Sequence, residues 1–504
     1  MNKANFLKNL VASIGAQGIV VIFNFISIPF LLTRVGVEAF GLIAFYSSLQ
    51  AVFAILDSGM SPLLVRETAS NIQGSNHEKR QYSALLDALK FFFIFIAIFG
   101  FGLIFFNASF IVDSLINTNE IDTLEVVIII KVMAFIIGLR WLSGFYRALF
   151  IGHQNIHILS LISIFIAALK FLVVLIYLYF IDGGIIDFFH YQAFCAVVEI
   201  LLLYLISARV NKYFRYKTSL SDKLFSLKSK YKFAVHAGVA SIIWIILTQA
   251  DKFLIIRLLD LEYFAIFSIG VLGASIFFFI SNPLSSALIP RLTEINKYQS
   301  SEKFKKFYAL NLNLFSILLI SSAMFVYMFS EELLFIWTGD EALSEKASFI
   351  LGNYALGNCL AVLSSFAYFL QASKGNLSLH LYGSAAFLVL FLPTLLICVN
   401  NFGMNGAAMA WLSCNLIMFS FWGAYIHNIY LKGFYRNWLI KKLIPILLIS
   451  FLLVQIEHLI FTSYILYLPV AIFSVFCCIL NLGVIYSIFF GFNLQPLNSL
   501  RSSS

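Results

Sequence analysis

Runs of twenty or more apolar residues, separated by short polar stretches, recur along the whole chain. A helix rising ~1.5 Å per residue needs about 20 residues to cross a hydrocarbon core of ~30 Å, so each run reads as a membrane-spanning helix. The pattern predicts fourteen, near 10–32, 41–65, 82–106, 124–148, 156–180, 185–207, 233–256, 263–290, 308–330, 347–371, 377–399, 404–428, 443–457 and 464–491. The predicted fold class is an all-α polytopic membrane protein. The first apolar stretch follows Lys3 and Lys8 like a signal peptide, but it is too long and has no small-residue cleavage site, so it counts as a span.

A hairpin pattern occurs twice. Arg34, Glu38-Ala39-Phe40-Gly41 and Arg66-Glu67-Thr68 are matched about 224 residues later by Arg257, Glu262-Tyr263-Phe264-Ala265 and Arg291-Leu292-Thr293, with Asn155 and Asn376 a further pair. Six spans in each copy give the halves the same orientation. The expected organisation is an N-lobe over 1–210, a basic linker over 211–232, a C-lobe over 233–430 and two additional helices with a tail over 431–504. The linker region holds Arg209, Lys212, Arg215, Lys217, Lys223, Lys228, Lys230 and Lys232 against Asp222, which suits an anionic membrane surface.

Composition sharpens the class. Of 504 residues 61% are hydrophobic and 11% charged, far from the soluble norm. The net charge of +9 is a topology signal and not a nucleic-acid site, because Lys and Arg concentrate in alternate loops on the side of the N-terminus. Acidic residues such as Asp113, Glu120, Asp122, Asp182 and Asp187 face the other way. This split places both termini in the cytoplasm of a cell with a plasma (inner) membrane. The cysteines, Cys195, Cys359, Cys398, Cys414, Cys477 and Cys478, all fall in spans and read as small core hydrophobes.

Candidate chemistry lies inside the membrane. The candidate ionisable residues within spans are Asp57, Asp87, Lys90, Lys131, Lys170, Glu199, Asp251 and Lys252, and each costs ~2.5–3.5 kcal/mol at mid-bilayer unless paired or hydrated. Asp87 and Lys90 are spaced for a local pair. Adjacent Asp251 and Lys252 point about 100° apart and are expected not to satisfy each other. Lys170 and Glu199 are the deepest. Neutral Asn353, Asn358, Gln371 and Asn415 in the second half are expected to line an amide wall opposite a cationic one, suiting an anionic, hydroxyl-rich cargo. The helix breakers Pro29, Pro62, Pro283, Pro290 and Pro393 allow kinks beside a cavity. No nucleotide fingerprint, metal-ligand spacing or catalytic set appears, and His153 with His157 reads as a surface pair. The loops leave no room for an extramembrane catalytic domain, so an enzyme is not expected and no cofactor is implied.

The stretch Leu56-Asp57-Ser58-Gly59-Met60 with Arg66 and Ala69, the turn Arg34…Glu38-Ala39-Phe40-Gly41, Asp251-Lys252…Arg257, and Gly403-Met404-Asn405-Gly406-Ala407-Ala408 resemble the Wzx-type O-antigen and teichuronic-acid flippases of the multidrug/oligosaccharidyl-lipid/polysaccharide exporter superfamily. The resemblance covers roughly 5–430. It implies two six-helix lobes in a V, an alternately opening cavity, and an undecaprenyl-pyrophosphate-linked oligosaccharide as cargo, handed on among other polysaccharide-assembly proteins. Many members have twelve spans, and the last pair departs from that. On this reading Lys131, Lys170, Lys252, Arg34 and Arg257 form the cationic substrate site. Asp57, Glu199 and Asp251 are the candidates for coupling to a proton or Na⁺. The alternatives are a multidrug exporter of the same architecture, which would favour an acidic aromatic pocket, and a membrane polysaccharide polymerase or glycosyltransferase, which would need catalytic loops.

Overall fold

The computed structural model describes residues 3–57, 59–71, 76–210 and 241–462. The linker expected over 211–232, the last span with Cys477 and Cys478, and Ser58 lie outside the described residues. The described chain is helical apart from turns, with no strand among the described residues. Among the described residues, eleven segments are long and apolar enough to cross a membrane. One of them, Ser378–Tyr430, has 53 residues and serves two crossings. It folds back at Gly403, whose φ of 57° and ψ of −137° leave the helical region. In a continuous helix Cys398 and Gly406 would stand ~12 Å apart. Instead a Cβ on Gly406 would collide with the Cys398 carbonyl, so the two arms touch and only glycine fits.

The described chain forms two compact units that divide between Ala265 and Ile266. The first comprises α1 (Lys3–Val35), α2 (Val37–Phe53), α3 (Met60–Asn71), α4 (Asn76–Phe106), α5 (Ala108–Leu115), α6 (Thr123–Gly152), α7 (Ile156–Ala168), α8 (Val174–Ile181), α9 (Ile185–Val210) and α10 (241–258). In the second are α12 (Ile276–Tyr298), α13 (Ser301–Met328), α14 (Ser330–Thr338), α15 (Glu341–Ser373), α16 (Ser378–Ile417), α17 (Gly423–Tyr430), α18 (Phe434–Trp438) and α19 (Ile444–Thr462), while α11 (Leu261–Ala274) crosses the division.

Several expected spans are broken where hydropathy showed them continuous. The second becomes α2 and α3 around a 3₁₀ turn at Ala54–Asp57. The eighth breaks between Ala274 and Ile276, π-helical turns interrupt two others at Leu169–Val173 and Met418–Trp422, and a third, Leu439–Leu443, leads into the thirteenth. The segments read as soluble loops contain the short helices α5 and α14.

Each unit is organised around one central helix. In the first, α6 packs on α4 and α9. Phe93, Phe145, Leu149, Leu85 and Leu89 meet on one side of α6, while Phe150, Leu159, Ile162 and Leu203 meet on the other. In the second, α15 packs on α12, α13, α14 and α16. Lipid gives helices no hydrophobic reason to associate, so close approach at small residues and polar bonds hold such bundles together.

At the junction of α1 and α2, one contact ties three segments of the first unit. The Glu38 carboxylate is buried and accepts the backbone N–H groups of Asn119 and Glu120 at 2.7 and 2.9 Å. The same loop receives Leu261 N–H on the Asn117 carbonyl at 2.9 Å and donates from the Asn119 amide to Asp260 at 3.3 Å. Gly41 admits this approach, because a Cβ there would lie 2.7 Å from the Leu261 carbonyl oxygen.

Candidate anion-binding site

The deepest charges of the first unit converge. Glu199, on α9 and 3% exposed, accepts Lys170 Nζ at 2.6 Å on one carboxylate oxygen and Arg147 Nη2 at 2.7 Å on the other. Arg147 also donates to Ser163 Oγ at 3.3 Å. Two turns away on α6, Arg140 donates from Nη1 to Gln50 Oε1 at 3.0 Å and from Nη2 to Gln192 Oε1 at 3.2 Å. Its guanidinium carbon sits 5.2 Å from the centre of the Tyr46 ring.

Helical spacing explains the convergence. Residues seven apart on a helix lie two turns apart and nearly in line. Arg140 and Arg147 on α6 therefore face Gln192 and Glu199 on α9 in the same order, as two parallel helices require. Lys170 is delivered by the π-helical turn Leu169–Val173. Such a turn upsets the i−4 ladder and exposes a carbonyl. Gln192 uses it, donating from Nε2 to the Lys170 carbonyl at 3.0 Å. One buried amide thus links the α6 cation to the distorted turn that carries the α7–α8 cation.

The cluster is unbalanced. Arg140, Arg147 and Lys170 are three cations around the one carboxylate of Glu199, and among the described residues no carboxylate lies within ion-pair distance of Arg140. Burying charge without compensation is expensive, which makes this excess a candidate position for an anion.

The other expected site residues lie elsewhere. Lys131 stands half-buried over the Phe105 ring at 5.5 Å, nine residues from Arg140 and so on the opposite face of α6. Arg34 pairs with Asp182 and donates to the Leu178 carbonyl at 3.3 Å, beside an apolar cavity of about 500 Å³ between α1 and α8. Arg257 is exposed on α10. Asp57 caps α3, accepting Ser61 N–H at 2.9 Å. Asp251 is buried on α10, and here the expectation is corrected: the Lys252 ammonium reaches back to its carboxylate at 3.4 Å while donating to the Thr248 carbonyl at 2.6 Å. The 100° between their Cα–Cβ directions is bridged by the length of the lysine stem.

The amide wall is corrected too. Asn353, Gln371 and Asn415 are buried and donate to carbonyls one turn back on their own helices, at Phe349, Ala367 and Trp411. Asn358 donates to the Ala274 carbonyl at 2.8 Å and accepts Trp411 Nε1–H at 2.9 Å, holding α15 to the break after α11. Three of these amides are thus spent within their own helices, and Asn358 alone ties helices of the second unit to one another. Among the described residues no cluster of His, Cys, Asp and Glu could hold a metal.

Arg140 and Arg147 were not singled out by the sequence pattern. Arginine toward the inner end of a span reads as topology; the signal that finds them is their seven-residue spacing matched by Gln192 and Glu199.

A model of the polysaccharide biosynthesis protein family matches residues 6–296, more than half of the chain and all of this cluster. The chain belongs to that family. It is 22% identical over 423 residues to a Shigella flexneri protein named "Putative O-antigen transporter", covering 81% of this chain and 94% of that one. Among solved structures, the lipid II flippase MurJ in an inward closed conformation superposes with a TM-score of 0.67 at 15% identity, covering 97% of this chain and 98% of that one. An inward-facing multidrug resistance MATE family transporter of the MOP superfamily gives 0.64 at 12% identity, over 84% and 98%. This family member therefore has the fold of those flippases and transporters, a polytopic membrane fold, and its relatives are named for transport and not for catalysis.

Proposed function

We propose that this chain is a flippase that moves saccharide units linked to a polyprenyl phosphate or diphosphate, of the undecaprenyl-pyrophosphate type, across a bacterial inner membrane with both termini cytoplasmic. The observation that carries the reading is the excess of positive charge gathered around the buried Glu199. A sugar hydroxyl moved unpaired from water to hydrocarbon costs ~4–8 kcal/mol, so the head needs a polar path while its lipid tail stays in the bilayer. The phosphate supplies a negative charge at the head, and Arg147 and Lys170 offer it donors that Glu199 occupies in its absence. Arrival of the anion competes with Glu199 for both cations.

That competition also suggests how an ion gradient enters the cycle. Protonation of Glu199 frees Arg147 and Lys170 for the phosphate, so cargo binding and proton uptake at this carboxylate favour each other. Glu199 is thus the foremost of the three coupling candidates, since Asp57 is used as a helix cap and Asp251 is engaged with Lys252. Each charge moved through 100 mV contributes ~2.3 kcal/mol. An organic cation would meet net positive charge in this cluster, which favours the saccharide reading over multidrug export.

The test is transport of a fluorescent lipid-linked oligosaccharide in proteoliposomes, with and without imposed proton or Na⁺ gradients. Lys170→Ala is expected to lower the rate at least tenfold at normal abundance in the membrane. A variant working at the wild-type rate removes the assignment.

A further inference from the structure

Two donors in the cluster have nothing to donate to. Tyr46 is 5% exposed, and its buried O–H finds no acceptor within hydrogen-bond distance, the guanidinium of Arg140 beside it being a donor only. Arg140 Nε is likewise buried and unpartnered. They belong to groups in contact, the guanidinium carbon lying 5.2 Å from the Tyr46 ring centre. Native structures seldom leave buried donors idle, because the lost solvation is not recovered.

The surroundings say what they await. Gln50 and Gln192 each give Arg140 a neutral oxygen, at 3.0 and 3.2 Å, so they fix its plane without cancelling its charge. Lys170 and Arg147 share Glu199, whereas Arg140 has no carboxylate within ion-pair distance among the described residues. A neutral hydroxyl could accept from both idle donors but would leave the guanidinium charge uncompensated. An oxyanion accepts from both and neutralises it, and charge-assisted bonds of this kind are about twice as strong as neutral ones.

We propose that Tyr46 Oη–H and Arg140 Nε–H form a subsite for a single oxyanion, with Tyr46 a direct binding residue and Gln50 and Gln192 positioning residues for the guanidinium. This deepens the proposed function and rests on it for the identity of the cargo. The subsite lies two turns along α6 from the Arg147–Glu199 pair, so an anion that reaches it displaces no carboxylate. A phosphoryl oxygen of the lipid carrier and a carboxylate of an acidic sugar share the chemistry it recognises.

The experiment uses the full chain purified in detergent and follows thermal unfolding by tryptophan fluorescence during titration with inorganic pyrophosphate or with glucuronate. Pyrophosphate is expected to raise the Tm of the wild type, which assigns the phosphoryl source; stabilisation by glucuronate instead assigns the sugar carboxylate. Tyr46→Phe is expected to need about tenfold more of the effective anion for half the stabilisation, and Arg140→Gln to lose the response. Without ligand, Tyr46→Phe is expected to melt at or above the wild-type temperature, since the lost O–H has no acceptor within the protein. The proposal is overturned if neither anion stabilises the wild type, if Tyr46→Phe responds like the wild type, or if Tyr46→Phe melts lower without ligand. Wild-type transport of lipid-linked oligosaccharide is scored separately: transport with an unaltered Tyr46→Phe titration removes the subsite and keeps the flippase, and failure of transport removes the flippase while the titration still decides the subsite.

Discussion

Glu199 is the residue on which the charge balance of the first unit turns. It holds two cations with its two oxygens while nearly closed to solvent. Replacing one partner of such a buried set leaves the others uncompensated, at a cost on the order of 3–5 kcal/mol. Glu199→Gln is therefore expected to lower the melting temperature in detergent sharply. The double variant Glu199→Gln/Lys170→Met should recover part of the loss, because it removes one stranded charge; strict additivity in that cycle would show that the pair is not coupled. Lys170 and Glu199 were legible in the sequence, because a charge in the middle of an apolar run has few explanations. Arg140 and Arg147 were not, since arginine near a span's inner end satisfies the topology rule equally well. Tyr46 and Gln192 carry no charge and could be found only by their partners.

The turn Leu169–Val173 shows what hydropathy hides at the level of the helix. An extra residue within a turn leaves every side chain as apolar as before but rotates all that follows by about 100°. The span was legible; its change of register was not, because the sequence signal records only how apolar each residue is. Deleting Leu172 should restore an uninterrupted helix and carry Leu178 and Asp182 away from Arg34, or Lys170 away from Glu199. The expected result is normal insertion and a monodisperse profile on size-exclusion chromatography with transport lost. Retained transport would show that the bulge is incidental. Gln192→Leu tests the same turn more gently: it frees the Lys170 carbonyl and one nitrogen of Arg140, and should slow transport roughly tenfold, the cost of about one charge-assisted bond.

Across the whole chain, the repeated hairpins and the alternation of basic loops were the strongest sequence signals. The central packing helices, α6 in the first unit and α15 in the second, are the fourth of the six spans expected for each copy. What the sequence could not show was that Asn353, Gln371 and Asn415 donate back into their own helices while Asn358 bridges neighbours, because buried and cavity-facing amides share one composition. Nor could it show what Glu38 does, as an acid at the start of a helix has an ordinary explanation in the helix dipole. Its grip on the loop before α6 has a measurable corollary. Amide hydrogens bonded to a buried carboxylate exchange with solvent only when that bond opens, so Asn119 and Glu120 carry a clock in their own protons. Deuterium uptake at these two positions should run slowly in the wild type and at least tenfold faster in Glu38→Ala. If cargo drives the cycle, it should also quicken in the wild type when lipid-linked saccharide is added. A single peptide spanning 116–122 would then report the opening of this contact without any label on the substrate.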